Sequence, residues 1–536
     1  MSIVRTITAV VVLFISSTPQ FPHKPIWVSD NGDGTYKNPI LYADYSDPDV
    51  IRVGDDFYLT ASSFNSVPGL PILHSRDLVN WKIIGHALQT QPPNEVFSTP
   101  QHGNGVWAPA IRFHTNDFYI FYGDPDFGIY MVKARNPAGP WSKPLLVRTA
   151  KGWIDPCPFW DDDGNAYLVH AWANSRSGIK SILTINRMSA DGTKLLDEGK
   201  MVFDGRVNHP TIEGPKLYKR NGYYYIFAPA GGVATGWQTV LRSRNIYGPY
   251  EDKIVMDRGT TDINGPHQGG WIELKSKESW FIHFQDRGAY GRIVHLQPMR
   301  WSNDWPVIGA DSDGDGKGEP VAKYKKPDVG RRYSIVTPET SDEFAGTKLG
   351  LQWQWHANWQ DNWYSLKMRR NWLRLNSVPM RQRSNNLWPV PNLLLQKLPA
   401  PNFTLTTMVD GSRLLEGERS GLLLMGRDYS YIAITRNSSG LQIIRATSLE
   451  AAQDTQEKRG QAVAVKVDTV FLRITLGEEA LARFSYSTDG NKFEFVGDEF
   501  AARQGVWIGA KIGLFALGRS EAILHGYADY NWFRFE

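Results

Sequence analysis

The stretch Thr211-Ile212-Glu213-Gly214-Pro215-Lys216 stands just ahead of the aromatic run Tyr223-Tyr224-Tyr225-Ile226-Phe227, and this pairing of a turn with a following strand is the unit of the chain. Gly214 and Pro215 favour a turn, whereas aromatic residues favour a buried strand. A carboxyl group at the mouth of a buried strand is partly desolvated, so the pKa of Glu213 is expected to be raised, as a general acid requires. The alternative is an ordinary exposed glutamate in a turn.

The same pattern of a turn, an aromatic or small residue, a second aromatic and an aliphatic residue recurs upstream and downstream. It occurs as Asp56-Phe57-Tyr58-Leu59, Asp117-Phe118-Tyr119-Ile120, Asn165-Ala166-Tyr167-Leu168 and, more loosely, Ser279-Trp280-Phe281-Ile282. With Tyr225 included, the intervals between the central aromatics are 61, 48, 58 and 56 residues. A repeat of about 50 residues with several strands per unit is typical of propeller blades. Five copies therefore predict a five-bladed β-propeller.

A second set of residues stands about a dozen positions before each copy. Its members are three carboxylates, a tryptophan and a histidine: Asp47, Trp107, Asp155, Glu213 and His267, at offsets of 11, 12, 12, 12 and 14 residues. Because equivalent positions on successive blades surround the central axis, we expect these side chains to converge at one end of the channel. Aliphatic residues would fill a purely structural ring, whereas carboxylates beside a histidine indicate a catalytic site.

The length of 536 residues favours two folded domains over one. Residues 35–325 form the predicted propeller, whose short strands are separated by turns such as Val53-Gly54-Asp55-Asp56. Residues 335–536 alternate short strands with turns and predict a β-sandwich. The predicted fold class is all-β, a five-bladed propeller followed by a sandwich.

Residues 1–20 have the features of a signal peptide. Arg5 supplies the positive end, residues 6–17 the apolar run, and Ser16-Ser17-Thr18 the small residues near a cleavage point, although Ile15 stands where a smaller residue is commoner. The apolar run is too short to span a bilayer. The sequence therefore predicts a secreted or periplasmic protein without a membrane partner.

The composition excludes some partners and favours others. A net charge of +4 without a long basic run argues against nucleic acid. The 20 Trp and 23 Tyr residues favour a protein whose aromatic rings stack on sugars. The alternative is that these residues fill the core. Cys157 is the only cysteine, so no internal disulfide or cysteine-based metal site can form, and its position between Pro156 and Pro158 predicts a buried structural thiol. No sequence feature indicates a particular oligomeric state.

These motifs resemble glycoside hydrolase family 43, the five-bladed propeller glycosidases. The matching stretches are Tyr45-Ser46-Asp47-Pro48-Asp49-Val50-Ile51-Arg52-Val53-Gly54-Asp55-Asp56-Phe57-Tyr58, Gly105-Val106-Trp107-Ala108-Pro109, Trp153-Ile154-Asp155-Pro156, Glu213-Gly214-Pro215-Lys216-Leu217-Tyr218 and Gly291-Arg292-Ile293-Val294-His295-Leu296-Gln297-Pro298. The last stretch, Ala528-Asp529-Tyr530-Asn531-Trp532-Phe533-Arg534, resembles the end of the concanavalin-A-like domain of the β-xylosidase branch. The resemblance covers nearly everything after residues 1–20.

The resemblance implies a role for each carboxylate. Asp47 would be the general base, Glu213 the general acid and Asp155 the residue that modulates the pKa of the acid. In an inverting glycosidase the acid and base lie roughly 6.5–9.5 Å apart, which leaves room for the attacking water. A third carboxylate nearby disfavours ionisation of the acid and keeps it protonated. Inversion is implied by the family alone.

The resemblance also implies five residues that contact the sugar: Phe64, Trp107, His267, Arg292 and Trp507. Phe64 would form a subsite wall, Trp107 a platform under the sugar, and Arg292 a hydrogen-bonding partner. Trp507 would cross from the second domain to cap the site. The alternative for Trp107 is a tryptophan buried within a blade, and the alternative for Arg292 is a salt bridge within a blade. The alternative for Trp507 is a tryptophan in the sandwich core.

Two places invite a metal hypothesis. Relatives in this family place a histidine like His267 near the base, in some of them beneath a calcium ion, although a single histidine is more often a hydrogen-bonded core residue. Residues 309–320 imitate the first half of a calcium loop, but Ala322 stands at the twelfth position, where a bidentate glutamate is expected. We therefore expect a polar turn there, no required cofactor, and calcium as an optional ligand near His267.

The implied substrate is an oligosaccharide of the plant cell wall, cleaved from its end by a β-xylosidase or α-L-arabinofuranosidase. D-Xylopyranose and L-arabinofuranose present similar hydroxyl groups, so the sequence does not separate the two activities. An endo-arabinanase and a non-catalytic sugar-binding propeller are the alternatives. A propeller fructosidase is disfavoured because Gly214 follows Glu213 where those enzymes carry a cysteine.

Overall fold

A computed structural model describes residues 24–380, 384–519 and 524–536. Strands dominate these residues, and the two α-helices among them, α1 (Asn94–Phe97) and α2 (Asn174–Ser177), have four residues each. The predicted signal peptide at residues 1–20 lies outside the described residues. Within the described ranges, no helix is long and apolar enough to cross a bilayer.

Five antiparallel sheets of four strands each form the blades of a propeller, as the repeat predicts. A short strand, β1 (Thr35–Lys37), precedes them. Blades I and II consist of β2 (Asp49–Val53), β3 (Asp56–Thr60), β4 (Gly69–Ser75), β5 (Trp81–Leu88), β6 (Trp107–His114), β7 (Asp117–Asp124), β8 (Gly128–Ala134) and β9 (Leu145–Thr149). Blades III to V consist of β10 (Trp153–Trp160), β11 (Ala166–Trp172), β12 (Ile182–Met188), β13 (Lys200–Asp204), β14 (Lys216–Arg220), β15 (Tyr223–Ala230), β16 (Trp237–Ser243), β17 (Glu251–Met256), β18 (His267–Glu273), β19 (Ser279–Asp286), β20 (Arg292–Ser302) and β21 (Trp305–Ile308).

The first strands of the blades surround the axis, where β2 neighbours β6, β6 neighbours β10, β10 neighbours β14, and β18 neighbours β2. Each blade is one contiguous segment, so packing rather than a shared strand closes the ring between blades V and I. Trp81 of blade I and Trp280 of blade V share one buried cluster. Tyr36 donates from its hydroxyl to the carbonyl of Leu296 at 2.8 Å, and β1 pairs with β22 (Lys323–Lys325) after the last blade.

A half-buried arginine of blade II contacts several other blades. Arg112 contacts Asp49 of blade I, with 2.6 Å between Nη1 and Oδ2, and donates from Nη2 to Sγ of Cys157 in blade III at 2.9 Å. Its guanidinium lies 5.4 Å from the ring centre of Tyr218 in blade IV, and Tyr218 accepts from the backbone N–H of Trp271 in blade V at 3.0 Å. Arg112 of blade II thus contacts blades I, III and IV directly, and Tyr218 extends this network to blade V. Cys157 is fully buried, which confirms the prediction of a structural thiol.

Two sheets packed face to face form the second domain, which confirms the predicted sandwich. One sheet contains β23 (Gln354–Trp355), β26 (Val378–Pro379), β27 (Leu394–Lys397), β29 (Arg419–Met425), β30 (Tyr429–Asn437), β31 (Gly440–Ser448), β32 (Lys458–Arg459), β33 (Val463–Val465) and β38 (Lys511–Gly518). The other contains β24 (Tyr364–Ser365), β25 (Leu373–Asn376), β28 (Phe403–Asp410), β34 (Thr469–Leu476), β35 (Leu481–Ser487), β36 (Glu494–Phe495), β37 (Phe500–Ala501) and β39 (Tyr527–Phe535). Buried and half-buried residues alternate along β34, as expected for a strand with one face on the core.

The sandwich docks on the propeller through backbone and side-chain hydrogen bonds. The backbones of Val67 and Trp355 exchange N–H groups and carbonyls across the interface. Asn358 binds the backbone of Gln91 with both its amide oxygen and its amide nitrogen, each at 2.8 Å. These contacts place the sandwich beside the loops at the end of the propeller where the first strands begin.

Candidate active site

Within two residues of the start of the first strand of every blade lies a residue in the left-handed backbone region. These residues are Asp47, Ala108, Asp155, Gly214 and Gln268, with φ values of 52°, 26°, 56°, 59° and 36°. The strain in a non-glycine residue there is of order 1–3 kcal/mol, and such strain concentrates at functional sites. Asp47 and Asp155 occupy the strained position itself, whereas Trp107, Glu213 and His267 precede it by one residue. The sequence spacing alone did not distinguish these two arrangements.

Asp47 is buried and held by two different donors. Its Oδ2 accepts from the hydroxyl of Ser62 at 2.6 Å, and its Oδ1 accepts from Nη1 of Arg292 at 2.7 Å. Ser62 in turn accepts from the backbone N–H of Ala108 in blade II at 2.8 Å. The carboxylate therefore has a fixed orientation, and each of its oxygens keeps a free lone pair.

Asp155 is fully buried and bound to the turn that carries Glu213. Its Oδ2 accepts from the backbone N–H of Gly214 at 2.7 Å. Burial raises the pKa of Asp155, the Lys216 ammonium opposes this, and the charge of Asp47 raises the pKa further. Asp155 thus positions the backbone of the glutamate turn and also contributes charge to the site.

Glu213 is the most accessible of the three carboxyls, with 30% of its side chain exposed. Its backbone N–H donates to the carbonyl of Pro229 at 3.1 Å. Burial raises the pKa of Glu213, and the charges of Asp155 and Asp47 raise it further, while Arg292 acts in the opposite direction. An acid with a raised pKa retains its proton near neutral pH, as a proton donor must.

His267 lies against this glutamate, with 3.5 Å between its Nε2 and Oε1 of Glu213. Burial and the charge of Arg292 lower the pKa of His267 to about 3, so its imidazole is neutral. Neither ring nitrogen has a hydrogen-bond partner among the described residues. The alternative interpretation of His267, a hydrogen-bonded core histidine, therefore does not fit the structure.

Calcium takes six to eight oxygen ligands, and carboxylates often supply some of them. Among the described residues, the one group of three His, Cys, Asp or Glu ligand atoms within 4.8 Å of one another is Asp311, Asp313 and Asp315. Asp311 pairs with Arg300 there, and Asp313 and Asp315 accept backbone N–H groups of their own turn. This pattern fits the polar turn that the sequence predicts, and calcium near His267 stays a prediction.

Two tryptophans from different domains meet above the carboxylates. Trp107, half-buried, donates from Nε1 to the carbonyl of Gly103 at 2.7 Å. Trp507 lies in the loop before β38, is 54% exposed, and stands edge-on to Trp107 with 6.3 Å between ring centres. The guanidinium of Arg292 lies 5.9 Å from the ring centre of Trp507. Trp507 is therefore outside the sandwich core.

Phe64 and Arg176 lie next to this aromatic pair. Phe64 is buried, has φ of 50°, and pairs its backbone with that of Val106 just before Trp107. Arg176, on α2, places its guanidinium 5.8 Å from the ring centre of Trp107 and binds Asn104 at 2.7 Å. The sequence analysis missed both Arg176 and Ser62, because a single arginine or serine in a loop carries no periodic signal.

A propeller that gathers three acidic side chains at one end of its axis, near two tryptophans, has the fold and the kind of site expected of a propeller glycosidase. The sequence model described as glycosyl hydrolases family 43 matches residues 36–306. The model described as beta xylosidase C-terminal concanavalin A-like domain matches residues 341–536. The chain belongs to glycosyl hydrolases family 43, and it is a glycoside hydrolase.

Similar proteins span almost the same length. A protein from Xylanibacter ruminicola that carries a provisional beta-xylosidase name is 41% identical over 488 residues, which is 90% of this chain and 86% of the relative. A non-reducing end alpha-L-arabinofuranosidase from Bacteroides ovatus is 30% identical over 529 residues, 94% of each chain. The crystal structure of the GH43 BlXynB protein from Bacillus licheniformis has a TM-score of 0.81 at 26% identity, covering 94% of this chain and 99% of that one.

Proposed function

We propose that this glycoside hydrolase acts at chain ends, with inversion, and releases xylose or arabinose from plant cell-wall oligosaccharides. The observation that carries the proposal is the position of Trp507, which extends from the sandwich to the mouth of the propeller beside Trp107. A loop of this kind limits the depth of the site, and it suits one terminal sugar better than a continuous polymer. The relatives named beta-xylosidase and arabinofuranosidase support this substrate class.

In the proposed reaction, Asp47 is the base. Ser62 and Arg292 each use one lone pair of its two oxygens, so a second lone pair can accept a proton from water. The water attacks the anomeric carbon as its proton passes to Asp47, and the bond from that carbon to the leaving oxygen breaks. The arginine fixes the direction of the carboxylate.

Glu213 is the acid of the same step and gives its proton to the leaving oxygen. Its burial and the two neighbouring carboxylates favour the protonated form. Asp155 contributes a negative charge and holds Gly214, so it supports both the pKa and the position of Glu213. The proton taken by Asp47 and the proton lost by Glu213 leave the enzyme with no net change in charge.

Around this trio, Trp107 is the proposed platform and Trp507 the cap, Phe64 supports the wall from behind, and His267 and Arg292 contact hydroxyl groups. A neutral imidazole with two unpartnered nitrogens can donate to one hydroxyl and accept from another. The arginine already binds Asp47 through one nitrogen and has further N–H donors available for the sugar.

The test is a panel of 4-nitrophenyl glycosides, with β-D-xylopyranoside and α-L-arabinofuranoside as the expected substrates. NMR of the first product should show the anomer opposite to that of the substrate. Xylo-oligosaccharides should lose one sugar at a time from one end. Internal cleavage of linear arabinan would instead indicate the endo-arabinanase alternative, and sucrose or fructan cleavage would indicate a fructosidase.

We also propose that residues 1–20 direct export to the periplasm or the medium, based on the charge and apolar run of that segment. Expression of the full chain and of a chain lacking residues 1–20, followed by cell fractionation, tests this. Activity outside the cytoplasm for the full chain alone is the expected result. Equal distribution of the two proteins would contradict export.

A further inference from the structure

Asp44 is a buried carboxylate outside the catalytic trio, and it accepts hydrogen bonds from three separate segments. Its Oδ1 accepts from the hydroxyl of Ser46 at 2.9 Å and from the backbone N–H of Arg292 at 2.9 Å. Its Oδ2 accepts from the backbone N–H of Gly509 in the sandwich at 3.0 Å. One side chain thus joins the loop before β2, the start of β20, and the loop before β38.

Two glycines allow the three segments to come this close. Gly291 has φ of 73°, and a Cβ there would lie 2.5 Å from Cγ of Asp44. A Cβ on Gly509 would lie 2.7 Å from the backbone nitrogen of Gly291. The next residue, Ala510, donates its N–H to the carbonyl of Ala289 at 2.7 Å. We call Asp44, Gly291, Arg292 and Gly509 the Asp44 joint.

The Asp44 joint is connected to two residues of the candidate active site, Arg292 and Trp507. Arg292, whose backbone Asp44 holds, binds Oδ1 of Asp47 with its guanidinium at 2.7 Å. Gly509 stands two residues after Trp507, whose ring lies 5.9 Å from the same guanidinium. Trp507 has φ of 64°, so its loop is in an unfavourable backbone conformation that contacts on either side must maintain.

The charge of Asp44 also suits its place between the domains. Lys511 of the sandwich is buried near the interface and Lys397 is half-buried there, and Lys511 binds the hydroxyl of Ser66 in the propeller. Burial lowers the pKa of Lys397, and burial and the charge of Lys397 lower that of Lys511 to about 7. The charge of Asp44 acts in the opposite direction on both lysines, so the carboxylate is their counter-charge.

We propose that Asp44 is a positioning residue for catalysis: one carboxylate sets both the arginine that holds Asp47 and the sandwich loop that carries Trp507. This proposal rests on the proposed roles of Asp47 and Trp507. Because the Asp44 joint connects the two domains, docking of the sandwich on the propeller also fixes the orientation of the base, Asp47. A loosened joint therefore affects sugar binding even though Asp44 does not reach the sugar.

Asp44→Asn tests the joint with a minimal change of shape. Asparagine offers one acceptor oxygen where the joint uses two, so the N–H of either Gly509 or Arg292 faces an amide NH2 group. We expect KM for the best aryl glycoside to rise about tenfold, with a smaller fall in kcat, since a displaced contact costs more than its own hydrogen bond. Hydrogen exchange of residues 503–510 should become faster.

Gly509→Ala disturbs the joint from the sandwich side, because its methyl group meets the backbone of Gly291. It should reproduce the rise in KM, and it decides the question if Asp44→Asn does not fold. Gln354→Met is the matched control, since it removes another interdomain hydrogen bond, that from Nε2 to the carbonyl of Pro68. It should leave KM and the exchange of residues 503–510 within twofold of the original protein.

A double-mutant cycle separates positioning from general stability. If Asp44 acts on KM through the Trp507 loop, Asp44→Asn should change KM less than twofold in a Trp507→Ala background, whereas its smaller effect on kcat, which reflects Arg292 and Asp47, should remain. Independent effects of the two changes on KM, or unchanged exchange of residues 503–510, would overturn the proposal. If the original protein cleaves no glycoside of the panel, the proposed substrate class is wrong, and the exchange measurement still decides whether the joint holds the loop.

Discussion

Glu213 and Asp155 share a buried environment in which two negative charges are unfavourable. The backbone N–H of Gly214 and the Lys216 ammonium both favour the ionised form of Asp155. Among the residues that the structure describes, no backbone N–H or ammonium group donates to the side chain of Glu213. Burial raises the pKa of Glu213, and the charges of Asp155 and Asp47 raise it further. The shared proton is therefore held mainly by Glu213, the residue that must donate it.

Glu213→Ala should lose about 10²–10⁴-fold in kcat/KM on natural oligosaccharides, the usual contribution of general acid catalysis. On substrates with activated leaving groups, such as dinitrophenyl glycosides, the loss should be far smaller, because such groups depart without a proton. Asp47→Ala is the comparison, since it should be severely impaired on both kinds of substrate. Equal losses for Glu213→Ala on both kinds would remove Glu213 from the acid role.

Asp155→Asn should shift the alkaline limb of the pH profile of kcat/KM to lower pH. The charge of Asp155 raises the pKa of Glu213, so its removal lowers that pKa, and Glu213 loses its proton at a lower pH. The amide oxygen can still accept from Gly214, which separates the effect of charge from that of position. Asp56→Asn is the control, since it removes a carboxylate that binds Arg76 on the surface. An alkaline limb that moved equally in both variants would show that the charge of Asp155 does not raise the pKa of Glu213.

At the scale of single elements, the loop that carries Trp507 is a separate unit from the sheet that follows it. The loop packs on the propeller: a Cβ on Gly103 would lie 2.4 Å from Cγ1 of Val506. The following strand β38 is buried along its whole length in the sandwich. The loop that covers the site is thus anchored in the sandwich by β38. Its tip, at Val506 and Trp507, is shaped by contacts with the propeller.

Trp507→Ala should weaken binding of short substrates such as xylobiose and leave the free energy of unfolding almost unchanged. The side chain is 54% exposed, so its removal opens the site without leaving a cavity in a core. Steady-state kinetics and thermal unfolding of the same variant measure the two effects.

Trp81→Ala is the matched control for that experiment, because Trp81 is fully buried between blades I and V. Its loss should cost about 3–5 kcal/mol of folding stability. A melting temperature for Trp507→Ala as low as that of the control, with unchanged affinity in the folded fraction, would show that Trp507 is a structural residue.

At the scale of the whole molecule, no strand is shared between the first and last blades of the propeller, and Arg112 of blade II links its own blade directly to blades I, III and IV. The carboxylate of Asp49 that it binds is fully buried and also accepts from the backbone N–H of Ile111 at 2.8 Å. Neither Arg112 nor Asp49 has a role in the proposed chemistry. Their pairing is a device of the fold, and it lies beneath the site on the same axis.

Arg112→Met should destabilise the propeller by about 3–5 kcal/mol, since it leaves a buried carboxylate without its counter-charge. Urea unfolding followed by circular dichroism measures this loss. The double variant Arg112→Met with Asp49→Asn should recover part of it, because no unpaired charge remains. If Asp49→Asn lowered the stability of the Arg112→Met variant by as much as it lowers that of the original protein, the two side chains would not act as a pair.

The amino-acid sequence by itself determined the five blades, the sandwich and the candidate carboxylates. Each blade is one contiguous segment, so hairpin turns, alternating strands and a regular interval record it locally. The same interval pointed to Asp47, Asp155 and Glu213, because equivalent blade positions reach the axis. The position of Cys157 between two prolines, near Asp155, also predicted that its thiol lies in the interior.

Tertiary structure alone decided how those carboxylates are held and covered. The pair of Arg292 with Asp47 joins residues 245 positions apart, and the bond from Gly509 to Asp44 spans 465. Such contacts exist only after the ring closes and the sandwich docks, and neither event leaves a periodic pattern in the chain. The unpartnered imidazole of His267 and the exposed ring of Trp507 follow from that packing, because burial and hydrogen bonding depend on the neighbours that the fold supplies.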